Sequence, residues 1–134
     1  MTDTLTDTLT DTSRLFICLG GIAMATAVAL GAFGAHALRA RLEPADLAIW
    51  QTAVQYHLIH ALGLFVIAGV AHPLADVSGP RLAGWLMLAG ILLFSGSLYV
   101  LVLSGSRWLG AVTPLGGVAF IAAWTLVAFS AWRA

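Results

Sequence analysis

Apolar residues in this chain gather in four long runs, and most polar residues fall at the ends and in the gaps. The runs cover about 15–37, 47–71, 82–103 and 109–132. Each is near the ~20 residues that a helix needs to cross a ~30 Å hydrocarbon core. Helix is the form expected, because lipid offers no partner to a free backbone N–H or C=O. Pro44, Pro80 and Pro114 stand at or near predicted helix starts, where a missing N–H costs nothing. Thr113 reads as the N-cap of a helix beginning at Pro114, which leaves 108–112 as a loop or re-entrant turn. One longer helix kinked at Pro114 is the alternative.

Residues 1–13, which repeat a Thr-Asp-Thr-Leu unit, are expected to be a disordered or loosely helical acidic lead-in. Residues 14–134 form the four-transmembrane-helix domain. The fold class is all-α, an integral membrane four-helix bundle. An even number of spans places both termini on the same side. The first run is too long for a signal peptide and has acids ahead of it, so it is expected to stay in the mature protein.

Composition strengthens the membrane reading. The 134 residues are 60% hydrophobic and only 9% charged, with a mean hydropathy of +0.97. Soluble domains carry roughly 25% charged residues, and a domain this small has too much surface to hide so many apolar side chains from water. A net charge of zero gives no electrostatic footprint for nucleic acid. Arg14, Arg81 and Arg133 fall on one predicted face and Arg39, Arg41 and Arg107 on the other, a tie under the positive-inside rule. Trp50, Trp85, Trp108 and Trp132 lie near span ends, as interfacial belt residues do, and Trp124 is expected to face a neighbour or lipid. The lone cysteine, Cys18, has neither a disulfide partner nor a metal-binding motif and reads as a small buried hydrophobe.

Two helices have patterned faces. The first is rich in small residues, among them Gly20, Gly21, Ala25, Ala29, Gly31, Ala32, Gly34 and Ala35. Close backbone approach is a main source of attraction between helices in lipid, so this helix is expected to be the central, most buried one. Gly31, Gly34, Gly96, Gly116 and Gly117 are the candidate helix-packing positions. On the second helix, Gln51, Thr52, Gln55, Tyr56, His57 and His60 form a polar arc. Trp50, Val54, Leu58, Ala61 and Phe65 fill the remainder and are expected to face lipid.

Gly31-Ala32-Phe33-Gly34-Ala35-His36-Ala37-Leu38, Trp50-Gln51-Thr52-Ala53 with Tyr56-His57 and His60-Ala61-Leu62, Leu93-Phe94-Ser95-Gly96-Ser97-Leu98-Tyr99 and Thr113-Pro114-Leu115-Gly116-Gly117 occur in this order. Together they resemble a bacterial and mitochondrial membrane family, domain of unknown function 423, the YgdD-like inner-membrane proteins. The resemblance runs from about Leu15 onward and leaves out the acidic repeat. It implies a four-helix, multi-pass protein of the cell (inner) membrane and brings no assigned activity.

The predicted topology draws His36, Tyr56, His57, His60, Ser95, Ser97 and Tyr99 toward one half of the bundle, the candidate polar cluster. Intramembrane ionisable groups are functional candidates by default. Three readings stand. Neutral histidines hydrogen-bond to Ser, Tyr and carbonyl groups and fix helix register. Alternatively, His57 and His60 line a small polar cavity that passes a proton or small solute. In the third reading they clasp a metal, with His36 as third ligand, or bind haem. Serines 95, 97, 104 and 106 have no intramembrane acid to complete a triad, and Glu43 and Asp46 suit the start of the second helix. There is no phosphate loop or dinucleotide fingerprint. No catalytic residue, metal or cofactor is therefore expected. The reading taken is a non-enzymatic accessory or scaffold protein, or a subunit of a membrane complex. Its partners are the lipid bilayer, other membrane subunits or further copies of itself. A minimal oligomeric transporter or proton-linked channel is the alternative.

Overall fold

The computed structural model describes residues 2–71, 73–74 and 78–134. Helix α1 (Thr2–Phe33) passes directly into a π-helical turn at Gly34–Leu38. Helix α2 spans Pro44–Val70. Helix α3 (Ser78–Gly90) continues through a π-helical segment, Ile91–Gly96, into α4 (Ser97–Ser104). A 3-10 turn, Arg107–Ala111, leads into α5 (Thr113–Arg133). Among the described residues, four stretches are long and apolar enough to cross a membrane: Thr10–Leu38, Pro44–Val70, Ser78–Ser104 and Arg107–Arg133. They run up and down in sequence. The start of α1, the end of α2, the start of α3 and the end of α5 share one face (face A), with both termini. The α1–α2 and α4–α5 connections share the other (face B).

Local chemistry sets the boundaries. Pro44 and Pro114 occupy the first turns of α2 and α5. Gly105 ends α4 in the left-handed region at φ 72°, and its N–H bonds to the Leu101 carbonyl at 2.9 Å. That conformation costs glycine little and other residues much more. Thr113 does not cap α5, because the cap position is Val112. Its hydroxyl turns toward Ser97 instead, 2.8 Å away. At face B, Arg107 pairs with Asp46 at 2.9 Å and ties the 3-10 turn to the start of α2.

Of the two forms expected for the acidic repeat, disordered or loosely helical, the structure has the helical one, since α1 begins at Thr2; Met1 lies outside the described residues. An isolated repeat of this kind would have to nucleate its own helix. Here it extends one already formed, which removes the nucleation cost. The junction is anchored: Thr12 is buried, and the Ser13 hydroxyl donates to the Ala68 carbonyl at 2.9 Å.

The central helix is also not the one expected. The most apolar window of the α2 span is 50% buried, against 22% for the first span. Helix α2 packs on α1, on α3 and its π-helical segment, and on α4, while α5 packs mainly on α3 and that same segment. The small residues of α1 lie all around it. Gly20, Ala23, Ala27 and Gly34 are buried, whereas Gly21, Ala25, Ala29 and Ala32 face outward. Cys18 is exposed on the outside too, not buried.

Glycines let the spans approach. A Cβ at Gly116 would collide with the backbone of Phe94, and one at Gly34 would collide with the Trp50 indole. At Gly31 it would press on Val54 at 3.3 Å. Gly96 and Gly117 leave room, with nearest atoms at 3.9 Å. Three seats went unread in the sequence. Gly63, Gly84 and Gly90 receive Met87, Phe16 and Phe120 respectively. Gly116→Ala should therefore lower stability by about 1–3 kcal/mol, the usual cost of overpacking. Gly96→Ala and Gly117→Ala should stay near wild type. Unfolding of the three variants in detergent checks the ranking, and equal midpoints would refute it.

Candidate functional site

The inward stripe of α2 follows a heptad-like spacing: Trp50, Ala53, His57, His60, Leu64 and Ile67, all buried. This spacing keeps one helix face on its neighbours. It divides the polar arc read from the sequence. His57 and His60 point into the protein, each 5% exposed, while Gln51, Thr52 and Gln55 turn outward.

Trp50 corrects the sequence reading most sharply. It is 1% exposed, sealed inside the bundle and not lodged at the lipid boundary. Its indole N–H donates to the Leu30 carbonyl at 3.0 Å, and its ring lies 4.8 Å from that of Tyr99. The bare backbone of Gly34 leaves the niche. A buried tryptophan is stable when its N–H finds a partner, as here. Val54 is half-buried, and Phe65 is exposed on the outer surface as expected.

Polar bonds then link the spans. The His57 Nδ1 and Tyr99 hydroxyl are 3.2 Å apart and bond in either imidazole tautomer, because a phenol both donates and accepts. The Ser95 hydroxyl donates to the Ala53 carbonyl at 2.8 Å, joining the π-helical segment to α2. Ser97 donates to the Phe94 carbonyl at 2.9 Å, and its oxygen can accept from Thr113 of α5. The π-helical segment matters here because its wider turn sets where Ser95, Ser97 and Tyr99 emerge.

His60 belongs to a different neighbourhood. Residues three apart on a helix are turned roughly 60° from one another, so the two histidines meet different spans. The His60 Nδ1 donates to the Tyr56 carbonyl at 2.7 Å, and its ring stacks on Phe120 at 3.4 Å between centroids. Tyr56 stacks on Phe94 at 4.3 Å and is partly exposed. Together with Trp124 these rings line a cleft of about 450 Å³ between α2, the π-helical segment and α5. The sequence reading missed Phe94, Phe120 and Trp124 as site residues. The i, i+4 spacing of Phe120 and Trp124, one turn beyond Gly116-Gly117, was the available signal.

His36 does not join the cluster. It is exposed in the π-helical turn at face B, whereas His57 lies roughly 20 Å along α2 from its start. Among the described residues, no group of three or more His, Cys, Asp or Glu side chains converges as metal ligands would.

Comparison with known proteins agrees with the architecture. The UPF0382 membrane protein YwdK of Bacillus subtilis is 52% identical over 118 residues, covering 88% of this chain and 96% of the relative. The UPF0382 membrane protein SH2409 of Staphylococcus haemolyticus is 42% identical over 120 residues, covering 90% and 97%. A UPF0382 membrane protein of Staphylococcus epidermidis, SERP0230, is 45% identical over 114 residues, covering 85% and 92%. No solved structure matches the chain. The model of the family described as "Protein of unknown function (DUF423)" matches residues 30–117, which take in the π-helical turn, the histidine stripe, the Ser95–Ser97 segment and the start of α5. With its four apolar spans and these relatives, the chain is a multi-pass membrane protein and belongs to the DUF423 family.

Proposed function

We propose that this protein is a non-enzymatic accessory of the membrane, a packed four-span body that associates with a further transmembrane helix. The observation that carries the reading is how the polar cluster uses its hydrogen bonds. His57–Tyr99 and Ser95–Ala53 join α2 to the third span, and Ser97–Thr113 joins the third span to the fourth. Groups spent in this way set helix register. Such bonds contribute about 0.6 kcal/mol on average and rarely more than ~2 in a membrane.

Two further features support it. Between the histidines and face A the interior is filled by Ala61, Leu64, Ile67, Ala83, Met87 and Phe16. A proton or solute path through His57 would end on this apolar plug, which weighs against the channel alternative. The outward face of α1 carries Gly21, Ala25, Ala29 and Ala32 in line with exposed Cys18. A narrow strip of this kind lets another helix backbone approach closely.

Cys18 tests the association directly. Oxidative cross-linking in native membranes should trap an adduct that Cys18→Ser abolishes and Ala25→Leu weakens. Twice the chain mass identifies a second copy, and any other discrete mass a different subunit. A chain that stays monomeric, or an adduct indifferent to Ala25→Leu, would sink the reading.

The cluster makes its own prediction. Ser95→Ala and Tyr99→Phe should each lower stability by about 0.5–2 kcal/mol. His57→Gln, whose amide still donates and accepts, should stay closer to wild type. Denaturation in detergent measures all three. A stable Tyr99→Phe protein that has lost a pH- or metal-dependent signal would instead point to proton or metal handling.

A further inference from the structure

The cleft beside His60 differs from the rest of the polar interior. The bonded edge of His57 and the Ser95 hydroxyl reach across to neighbouring spans, whereas the bonded edge of His60 turns back onto its own helix and leaves its other edge toward the cleft. Its Nδ1 carries the proton donated to the Tyr56 carbonyl, so in the neutral imidazole Nε2 is an acceptor. Nε2 makes no hydrogen bond among the described residues, and it is not sealed from the surface. His60 lines the cleft with Tyr56, Phe94, Phe120 and Trp124. Of the other lining residues that carry polar atoms, Thr125 donates its hydroxyl to the Ile121 carbonyl of its own helix at 2.7 Å, while Tyr56 brings a phenol and Trp124 an indole N–H. At about 450 Å³ the cleft falls in the range of small-molecule sites, apolar and aromatic with a few placed polar groups.

These features define a ligand by its chemistry. Aromatic walls favour a flat ring that stacks against them. His60 Nε2 can only accept, so a ligand group placed against it gains by donating, since two acceptors facing each other in an apolar site leave both unpaired. A hydroxyl, which also accepts, suits the Tyr56 O–H and Trp124 N–H as well. Access from the membrane side favours a molecule that reaches the site dissolved in lipid. We propose that the cleft binds a planar, membrane-soluble ring bearing a hydroxyl group, the chemistry of a lipophilic phenol or quinol, which stacks on the aromatic wall and donates its O–H to His60 Nε2. The site goes beyond the accessory role and does not depend on it.

Hydrogen-bond polarity makes the test sharp, because reducing a quinone to its quinol turns an acceptor into a donor while the ring stays nearly the same size. Histidine-¹⁵N-labelled protein in phosphatidylcholine nanodiscs would be titrated with four probes: a decyl-substituted benzoquinol, its quinone, a monophenol with the same tail, and n-decanol. The His60 Nε2 resonance, assigned by its loss in His60→Leu, reports the contact. The quinol should bind saturably and shift this resonance, with the quinone at least about tenfold weaker, the scale of one hydrogen bond. Decanol, which lacks a ring, should be weaker still. A monophenol equal to the quinol makes phenols in general the ligand class; a quinol-only response narrows it to quinols.

Gly117→Val supplies the second arm. A Cβ at Gly117 meets only Phe94 Cδ2 at 3.9 Å, so the fold tolerates it while the side chain narrows the cleft. Quinol affinity should fall about tenfold or more with unchanged unfolding behaviour. Equal binding of quinol and quinone, decanol matching the quinol, no saturable shift at His60, or full affinity in a folded Gly117→Val protein would each overturn the proposal.

Discussion

In hydrocarbon, two apolar helices gain little by hiding from their surroundings, because the lipid tails are as apolar as they are. Attraction has to come from contact itself, through dispersion between close backbones and a small number of polar bonds. The lean of Phe94 on Gly116 shows this most directly, since the α5 backbone there comes so near the π-helical segment that not even a methyl group fits. Trp50 over Gly34 and Phe16 on Gly84 repeat the arrangement at the two ends of the bundle. The last two pair a missing side chain on one helix with a large ring on another, and the first pairs it with a neighbouring backbone. The bundle is therefore specified by matched pairs, and general hydrophobicity plays little part.

Polar groups add direction to that close packing. Helix α2 meets most of the other elements, and it carries two histidines one turn apart that are committed to different neighbours. His57 lies among hydrogen bonds that cross between spans. His60 lies among stacked rings, with its own backbone as its polar partner. One helix thus presents two chemistries at nearly the same depth: hydrogen bonds that cross between spans on one side, and on the other an aromatic wall with an acceptor facing the cleft.

Much of this was legible in the chain, and the misses have physical causes. The four spans followed from run length. The inward turn of His57 and His60 followed from the cost of imidazole against acyl chains. Trp50 was misread because an indole is equally at home at the lipid boundary or in a niche that satisfies its N–H, and only the partner decides which. Small residues mark where a helix can be approached closely, without saying by what. Those of α1 therefore suggested a central helix, although half of them face outward. Divergence of the two histidines depended on where Phe120 and Tyr99 came to lie, which no single-helix pattern contains. His36 looked like a cluster member from its motif, yet its depth along the bundle separates it.

The π-helical segment at Ile91–Gly96 has a consequence for how such a chain can change. A helix that is α on both sides of a widened turn holds one residue more than an unbroken helix of the same path would need. Deleting one residue there would close the turn to an α-helix along the same path, so the halves on either side would keep their faces. A deletion elsewhere in the third span has no surplus residue to absorb it and would rotate one half against the other by about 100°. Tyr99 would then leave His57 while Ala83 and Met87 kept their places, or the reverse. Descendants of this sequence can therefore shed a residue at the bulge, where the cost falls on Ser95 and its immediate neighbours, more readily than at any other point of the third span.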